Sequence, residues 1–134
     1  MVKLFRAELL TRVHGIGYVD FRSQHIAVIG WLDHGGTRLT ELAARMGIGA
    51  PAATELVNDL QTLGYVNRIS DPSDGRAKLI VVTRRGALVK RRIAAEDVRL
   101  HEEFASLIGK RRFNELCRTL DELIARAEER LASP

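Results

Sequence analysis

Two short amphipathic segments, separated by the break Gly47-Ile48-Gly49, constrain the fold of this chain more than any other feature. The first covers residues 40–46, with Thr40 in position to cap a helix that ends at Gly47. The second begins near Pro51, whose missing N–H costs nothing in the first turn of a helix. Apolar residues then recur at steps of three and four, at Ala53, Leu56, Val57, Leu60 and Leu63. Two helices joined by so tight a turn predict a helix-turn-helix.

A β-hairpin is predicted directly after the second helix. Residues 65–69 and 78–83 are rich in β-branched and aromatic side chains, and the DPSDG segment between them has the composition of a turn. Thr83 is then in position to cap a long helix over residues 84–106. A helix-turn-helix followed by a hairpin is the outline of a winged helix-turn-helix.

Further helices are predicted over residues 2–14, 21–32 and 110–131. The fold class is therefore mainly α with a small β component (α+β), and the 134 residues form most simply a single domain. The last helix carries an apolar stripe at Phe113, Leu116, Cys117, Leu120, Leu123, Ile124, Ala127 and Leu131. Two explanations of this stripe stay open: it packs against a second copy of the chain, or it closes the chain's own core.

Composition restricts the class of protein. A content of 46% hydrophobic and 28% charged residues indicates a folded, soluble chain. No apolar run reaches the roughly 18 residues that a membrane-spanning helix needs, so no membrane partner is expected. Charged residues interrupt the apolar positions of residues 1–15, so no signal peptide is predicted. The single cysteine, Cys117, fits a reducing compartment, and the expected location is the cytoplasm.

Positive charge is concentrated in one part of the chain. Residues 76–92 contain seven basic residues and no acidic one, although the whole chain has a net charge of only +4. The other residues together are therefore net negative. A local basic stripe indicates a surface that binds polyanions, whereas the alternative is a solvated helix face.

Neither an enzyme nor a metal site is predicted. The chain has no Ser-His-Asp or Cys-His signature, no glycine-rich phosphate loop and no convincing carboxylate pair. Its four histidines, His14, His25, His34 and His101, lack the spacing of metal ligands. No cofactor is expected.

Three motifs in the expected order resemble the MarR family of transcriptional regulators. They are LTELAARMG at the start of the first helix of the motif, LQTLGYVNR after the second, and DPSDGRAKLIVVTRRG in the wing. The resemblance implies a ligand-responsive homodimer that acts as a repressor and binds a palindromic operator in double-stranded DNA. Residues 1–20 and 106–134 would form N- and C-terminal dimerisation helices, and residues 35–87 the DNA-binding region.

The resemblance also assigns DNA contacts to the wing and its surroundings. Arg76 matches the family's minor-groove arginine, and Asp74 matches the aspartate that pairs with it and fixes its direction. The alternative for Asp74 is that it only forms the turn. Lys78, Arg84 and Arg85 are candidates for phosphate contacts.

The second helix of the motif, which the resemblance makes the recognition helix, departs from the family pattern. Gly49, Ala50, Ala52 and Glu55 stand where members often carry polar or basic residues. Thr54 is retained and could meet a base edge, and Glu55 could accept a hydrogen bond from a cytosine amino group. The residues expected to contact DNA from the helix-turn-helix are Thr40, Ala50, Pro51, Ala52, Thr54 and Glu55. An alternative function is a winged-helix protein-interaction module that has lost specific DNA binding.

Family members commonly bind small aromatic or phenolic ligands between the dimerisation helices and the winged domain. The resemblance places His14, Tyr18, Phe21, Arg22 and Trp31 of this chain on the segments that would line such a site. A small aromatic effector is therefore a possible partner.

Overall fold

A computed structural model describes residues 2–133 of the chain. The order of elements agrees with the sequence prediction, with one additional short strand. The elements are α1 (Val2–Gly15), α2 (Ser23–Trp31), β1 (Thr37–Arg38), α3 (Leu39–Met46), α4 (Ala50–Thr62), β2 (Val66–Asp71), β3 (Asp74–Val82), α5 (Arg84–Ile108) and α6 (Lys110–Ala132). The predicted fold class, mainly helical with a winged helix-turn-helix, is confirmed.

The chain divides into two compact units, one running to Glu96 and one beginning at Asp97. The first unit contains the helix-turn-helix and the wing around a common hydrophobic core. Fully buried aliphatic side chains contribute about 1.5–3 kcal/mol each relative to exposure in water. The core is built mainly from Val13, Phe21, Val28, Ile29, Leu32, Leu42, Leu56, Val57, Leu60, Tyr65, Val66, Ile80 and Val89.

The turn between α3 and α4 has the predicted geometry. Gly47 ends α3 in the left-handed conformation, with φ of 65°, and the N–H of Ile48 donates to the carbonyl oxygen of Ala43 at 3.1 Å. Pro51 lies in the first turn of α4. The segment 47–49 therefore reverses the chain within three residues and places α4 at the surface.

The prediction that Thr40 caps α3 is wrong. The cap is Arg38, which has an extended backbone, and the helix begins at Leu39. The reason is β1, which the sequence did not reveal: Thr37 and Arg38 pair with Ile80 and Leu79 of β3. This pairing holds both residues extended, so α3 starts directly after them and Thr40 lies inside its first turn.

The three strands form an antiparallel sheet in the order β1-β3-β2. The β2–β3 hairpin runs from the pair Val66–Val82 at the base to the pair Asp71–Asp74 at the tip, with an irregularity at Ser70 and Asp71. Both strands extend further toward the tip than the sequence predicted. The wing is therefore a long hairpin with a very short turn.

Thr83 caps α5, as predicted, and also joins three elements at the base of the wing. Its hydroxyl donates to the carbonyl oxygen of Gly64 at 2.7 Å and accepts the N–H of Gly86 at 3.0 Å. The backbone of Tyr65 approaches Gly86 so closely that a Cβ there would overlap the Tyr65 carbonyl oxygen. This close approach explains why a glycine occupies the first turn of α5.

The second unit consists of the end of α5 and of α6. Phe113 is buried, with its ring edge-on to that of His101 at a centroid distance of 6.2 Å. Beyond Phe113, the stripe predicted from the sequence remains largely exposed: Leu123, Ile124 and Leu131 are 62%, 53% and 86% exposed. Cys117 is half-buried.

Candidate nucleic-acid interface

The tip of the wing is organised around the carboxylate of Asp71. One oxygen, Oδ2, accepts hydrogen bonds from Nε and Nη2 of Arg38 at 3.0 and 2.8 Å. The other, Oδ1, accepts from the backbone N–H and the hydroxyl of Ser73 at 2.9 and 2.7 Å. Hydrogen bonds from Ser73 and Arg38 lower the pKa of Asp71 to about 2. Asp71 thus forms the turn, as expected, and also binds Arg38.

Arg38 is the residue of this region that sequence reasoning missed. Its partner Asp71 lies 33 positions away on the other edge of the sheet, so no local pattern joins them. The only available signal was a basic residue directly before the first helix of the helix-turn-helix. Connecting Arg38 with the wing requires knowing how β1, β3 and β2 pair in the sheet.

Asp74 contacts Arg76 differently from the prediction. Its Oδ1 accepts the backbone N–H of Arg76 at 3.1 Å, which is the hydrogen bond of an Asx-turn. Among residues 2–133, no ion pair joins the two side chains. The carboxylate therefore fixes the backbone from which Arg76 projects, and the exposed guanidinium remains available to a ligand.

The three predicted phosphate contacts have different surroundings. Lys78 is exposed on β3, where its Nζ donates to Ser70 Oγ at 3.3 Å. Arg85 donates to the carbonyl oxygen of Leu63 at 3.0 Å and stacks on the Tyr65 ring at 4.6 Å, so it is largely committed to the fold. Arg84 is exposed in the first turn of α5, where a cation opposes the helix dipole. This unfavourable position makes Arg84 the better candidate for a phosphate contact.

The N-terminal part of α4 presents small side chains. Ala50, Pro51, Ala52 and Glu55 are exposed. The hydroxyl of Thr54 donates to the carbonyl oxygen of Ala50 at 2.8 Å, inside its own helix, which leaves the oxygen lone pairs and the methyl group for a partner. Thr40, on the neighbouring helix α3, is also exposed.

Arg68 braces the hairpin against α4. Its Nη2 donates to Asn58 Oδ1 at 2.8 Å, and its Nη1 donates to Gln61 Oε1. Helix α4 and strand β2 are therefore joined by side-chain hydrogen bonds as well as by the backbone between them.

Asp59 of α4 binds the start of α2. Its Oδ2 accepts from Arg22 Nη2 at 2.9 Å and from His25 Nε2 at 3.1 Å. His25 is buried, and its Nδ1 accepts the backbone N–H of Arg22 at 3.0 Å, so Nε2 carries the proton that is donated to Asp59. The hydrogen bonds from His25 and Arg22 lower the pKa of Asp59 below its ordinary value. This carboxylate is therefore a structural link between helices.

A shallow recess of about 360 Å³ surrounds this link. Its lining residues are Asp20, Arg22, His25, Asp59, Thr62 and Leu63. Of the five residues predicted to bind an effector, the recess contains only Arg22. Phe21 belongs to the core, and Trp31 is 49% exposed at the end of α2.

The other two predicted effector residues are engaged within the first unit. His14 Nε2 lies 2.7 Å from the carbonyl oxygen of Phe21, and the Tyr18 hydroxyl accepts from Arg92 Nη1 at 3.1 Å. The structure therefore brings His14, Tyr18 and Phe21 together, with the ring centroids of Tyr18 and Phe21 5.9 Å apart.

Two further features are absent from residues 2–133. This part of the chain contains no group of three or more His, Cys, Asp or Glu side chains placed to hold a metal ion. Within the same residues, no helix combines the length and the apolar character that a membrane span requires.

Comparison with known proteins connects this geometry with one family. Residues 19–77 match the MarR family model. No curated protein sequence matches the chain. Among solved structures, the fold is similar to that of wild-type MarR (apo form) from E. coli, with a TM-score of 0.74 and 21% identity over 92% of this chain and 91% of that one.

Two structures from Rhodococcus are also similar. CouR from Rhodococcus jostii RHA1 bound to p-coumaroyl-CoA has a TM-score of 0.73 and 24% identity, covering 91% of this chain and 85% of that one. A MarR-family transcriptional regulator from Rhodococcus sp. RHA1 has a TM-score of 0.72 and 23% identity, covering 91% and 87%. Residues 19–77 of this chain thus match the MarR family model, and the chain has the winged-helix fold seen in structures of MarR-family transcriptional regulators.

Proposed function

We propose that this chain is a dimeric transcriptional regulator that represses genes by binding a palindromic operator in double-stranded DNA. The observation that carries the proposal is the wing tip: Asp74 fixes the backbone of Arg76, whose exposed guanidinium has no partner among residues 2–133. A flat, permanently charged group suits a narrow minor groove. Arg84 and Lys78 would add phosphate contacts that set register without reading sequence.

The exposed stripe of α6 supports the dimer. Leu123, Ile124 and Leu131 are largely exposed on a helix that reaches Ala132. Apolar side chains repeated along one helix gain most when they pack against another chain, and symmetric dimers are the commonest oligomers. Two-fold symmetry in the protein in turn implies a palindromic site.

The recess around Asp59 suits an effector that carries an anionic group. Arg22 is half-exposed and binds a carboxylate of the recognition helix, so an anionic ligand could take Arg22 in place of Asp59. This exchange would release α4 from α2 and change the spacing of the two recognition helices in a dimer. The p-coumaroyl-CoA in the CouR structure is an example of an anionic aromatic ligand.

A gel-shift assay against the DNA upstream of the protein's own gene, over a salt series, tests the proposal. Binding of a dimer that survives an excess of competitor DNA is expected for a regulator. Binding that is blind to sequence and falls steeply with salt would favour the alternative, an interaction module without an operator. The surface formed by Ala50, Ala52 and Glu55 supports this alternative, because its side chains are small or acidic.

A further inference from the structure

Arg38 joins the two edge strands of the sheet across its centre. It belongs to β1, whereas its partner Asp71 belongs to β2, and β3 lies between these strands. Both nitrogens of the guanidinium edge bind the same carboxylate oxygen, and Ser73 occupies the other oxygen. Because the carboxylate is nearly buried and has four hydrogen bonds, the contact has a defined geometry.

The backbone of β1 supports only the base of the wing. Its two residues pair with Leu79 and Ile80, and the part of β3 from Asp74 to Lys78 has no β1 partner. The Arg38 side chain reaches past this point to the last residue of β2. It therefore connects β1 to the end of the hairpin that carries Arg76.

Arg38 also directly precedes the helix-turn-helix, since it is the N-cap residue of α3. A contact between this residue and the wing tip ties the orientation of the hairpin to that of α3. Without it, the distal part of the hairpin would keep only its two-stranded pairing, and two-stranded ribbons are marginal by themselves.

We propose that Arg38 is a positioning residue for DNA binding, which acts by holding the distal wing through Asp71 so that Arg76 points in a fixed direction. The effect of Arg38 on DNA binding rests on the proposed function. The orientation of the hairpin itself can be measured in the protein alone.

The first experiment measures hydrogen exchange in the protein without DNA. In Arg38→Ala, the amides of residues 71 and 73–78 are expected to exchange about tenfold faster, with little change at Val66 and Val82, because local opening becomes easier at the tip. Arg45→Ala is the matched control, since Arg45 is an arginine of the adjoining helix α3 that also forms ion pairs, with Asp33 and Glu41. Equal exchange at the tip in Arg38→Ala and the wild type would overturn the proposal.

The second experiment is a double-mutant cycle on DNA affinity. We expect Arg38→Ala to weaken binding about fivefold to tenfold, an effect typical of coupled neighbours. In an Arg76→Ala background, the same substitution should have almost no further effect, because no guanidinium remains to be aimed. Arg38→Lys, which cannot form the fork, should recover only part of the loss.

Two outcomes of the cycle separate the proposals. An equal loss in both backgrounds would mean that Arg38 touches DNA directly, and the positioning role would be wrong. If the wild type shows no specific DNA binding, the proposed function fails, and hydrogen exchange alone then decides whether Arg38 orients the wing.

Discussion

The wing and the N-terminal part of α4 are two surfaces predicted to meet the same DNA, and they are built in opposite ways. The tip of the wing holds its charged groups in defined positions through Arg38, Asp71 and Asp74. The start of α4 exposes two alanines, a proline and Glu55, and the hydroxyl of Thr54 donates within the helix. One surface is organised for electrostatic contact, and the other offers mainly shape and methyl groups.

The difference indicates how binding energy and sequence preference are divided. Contacts to phosphates and to the narrow minor groove supply affinity, whereas base edges in the major groove supply discrimination. In this protein the wing is equipped for the first role. For the second role, the start of α4 offers few groups, chiefly the methyl of Thr54 and the carboxylate of Glu55.

The largest effect is expected from breaking the base of the wing. Gly86→Ala should destabilise the protein by more than about 3 kcal/mol, because the new Cβ would overlap the carbonyl oxygen of Tyr65. Thermal unfolding measures this loss. Gly30→Ala is the control, since nothing lies near a Cβ at that helical position. It should be neutral or stabilising by roughly 0.5–1 kcal/mol, and similar losses in both variants would contradict the close approach at Gly86.

Removing the charge at the wing tip should give the next largest effect. Arg76→Ala is expected to weaken operator binding by about tenfold, or about 1.4 kcal/mol, without lowering thermal stability. The loss should be greater where A·T pairs flank the half-site than where G·C pairs do, because a narrow groove attracts arginine. Fluorescence anisotropy with both kinds of operator measures this.

Arg84→Ala is the matched comparison for this prediction. A phosphate contact should weaken binding to both operators equally and reduce the salt dependence by about one counterion. If Arg76→Ala behaves in the same uniform way, the minor-groove assignment of the wing is wrong.

A smaller effect of opposite sign is expected on α4. Glu55→Gln should raise affinity for DNA of any sequence about threefold, because an exposed carboxylate near phosphates costs up to about 1 kcal/mol at close range in water. The gain should shrink as salt is added. A drop in operator affinity that is confined to sites with a cytosine at one position would instead show that Glu55 reads that base.

The smallest effect is expected on stability when the pH is lowered. The pKa of Asp71 is lowered from 3.8 to about 2 in the folded chain. The charged carboxylate therefore stabilises the fold at pH values above the pKa that Asp71 has in the unfolded chain. That contribution should be complete near neutral pH and disappear as the pH falls from about 4 to about 2. The difference in Tm between the wild type and Asp71→Asn, measured over this range, should therefore shrink with acidification. A difference that does not change with pH would mean that the Asp71 charge has no such role.

Sequence reasoning was successful where the signal is local. The turn at Gly47, the position of Pro51 and the cap at Thr83 follow from conformational preferences within a few residues, and the structure contains all three. The order of elements followed from periodicity and from the spacing of turns. The resemblance to the MarR family rested on the same local motifs and is confirmed.

The rest depended on pairing between distant residues. Strand β1 has only two residues, too few for a pattern, and its existence is decided by β3. This pairing displaced the cap from Thr40 to Arg38. Likewise, Asp59 lies on α4, but its partners Arg22 and His25 come from a segment 34 or more positions away. Ion pairs of this kind leave no spacing in the sequence.

The bare start of α4 has a consequence for how such a protein can evolve. The side chains of Ala50, Ala52 and Glu55 are exposed and do not pack in the core. Substitutions at such exposed positions usually change stability by less than about 0.5 kcal/mol. Under the proposed function, new preferences for operator sequence can therefore arise at these positions by single substitutions without first acquiring a stabilising change elsewhere.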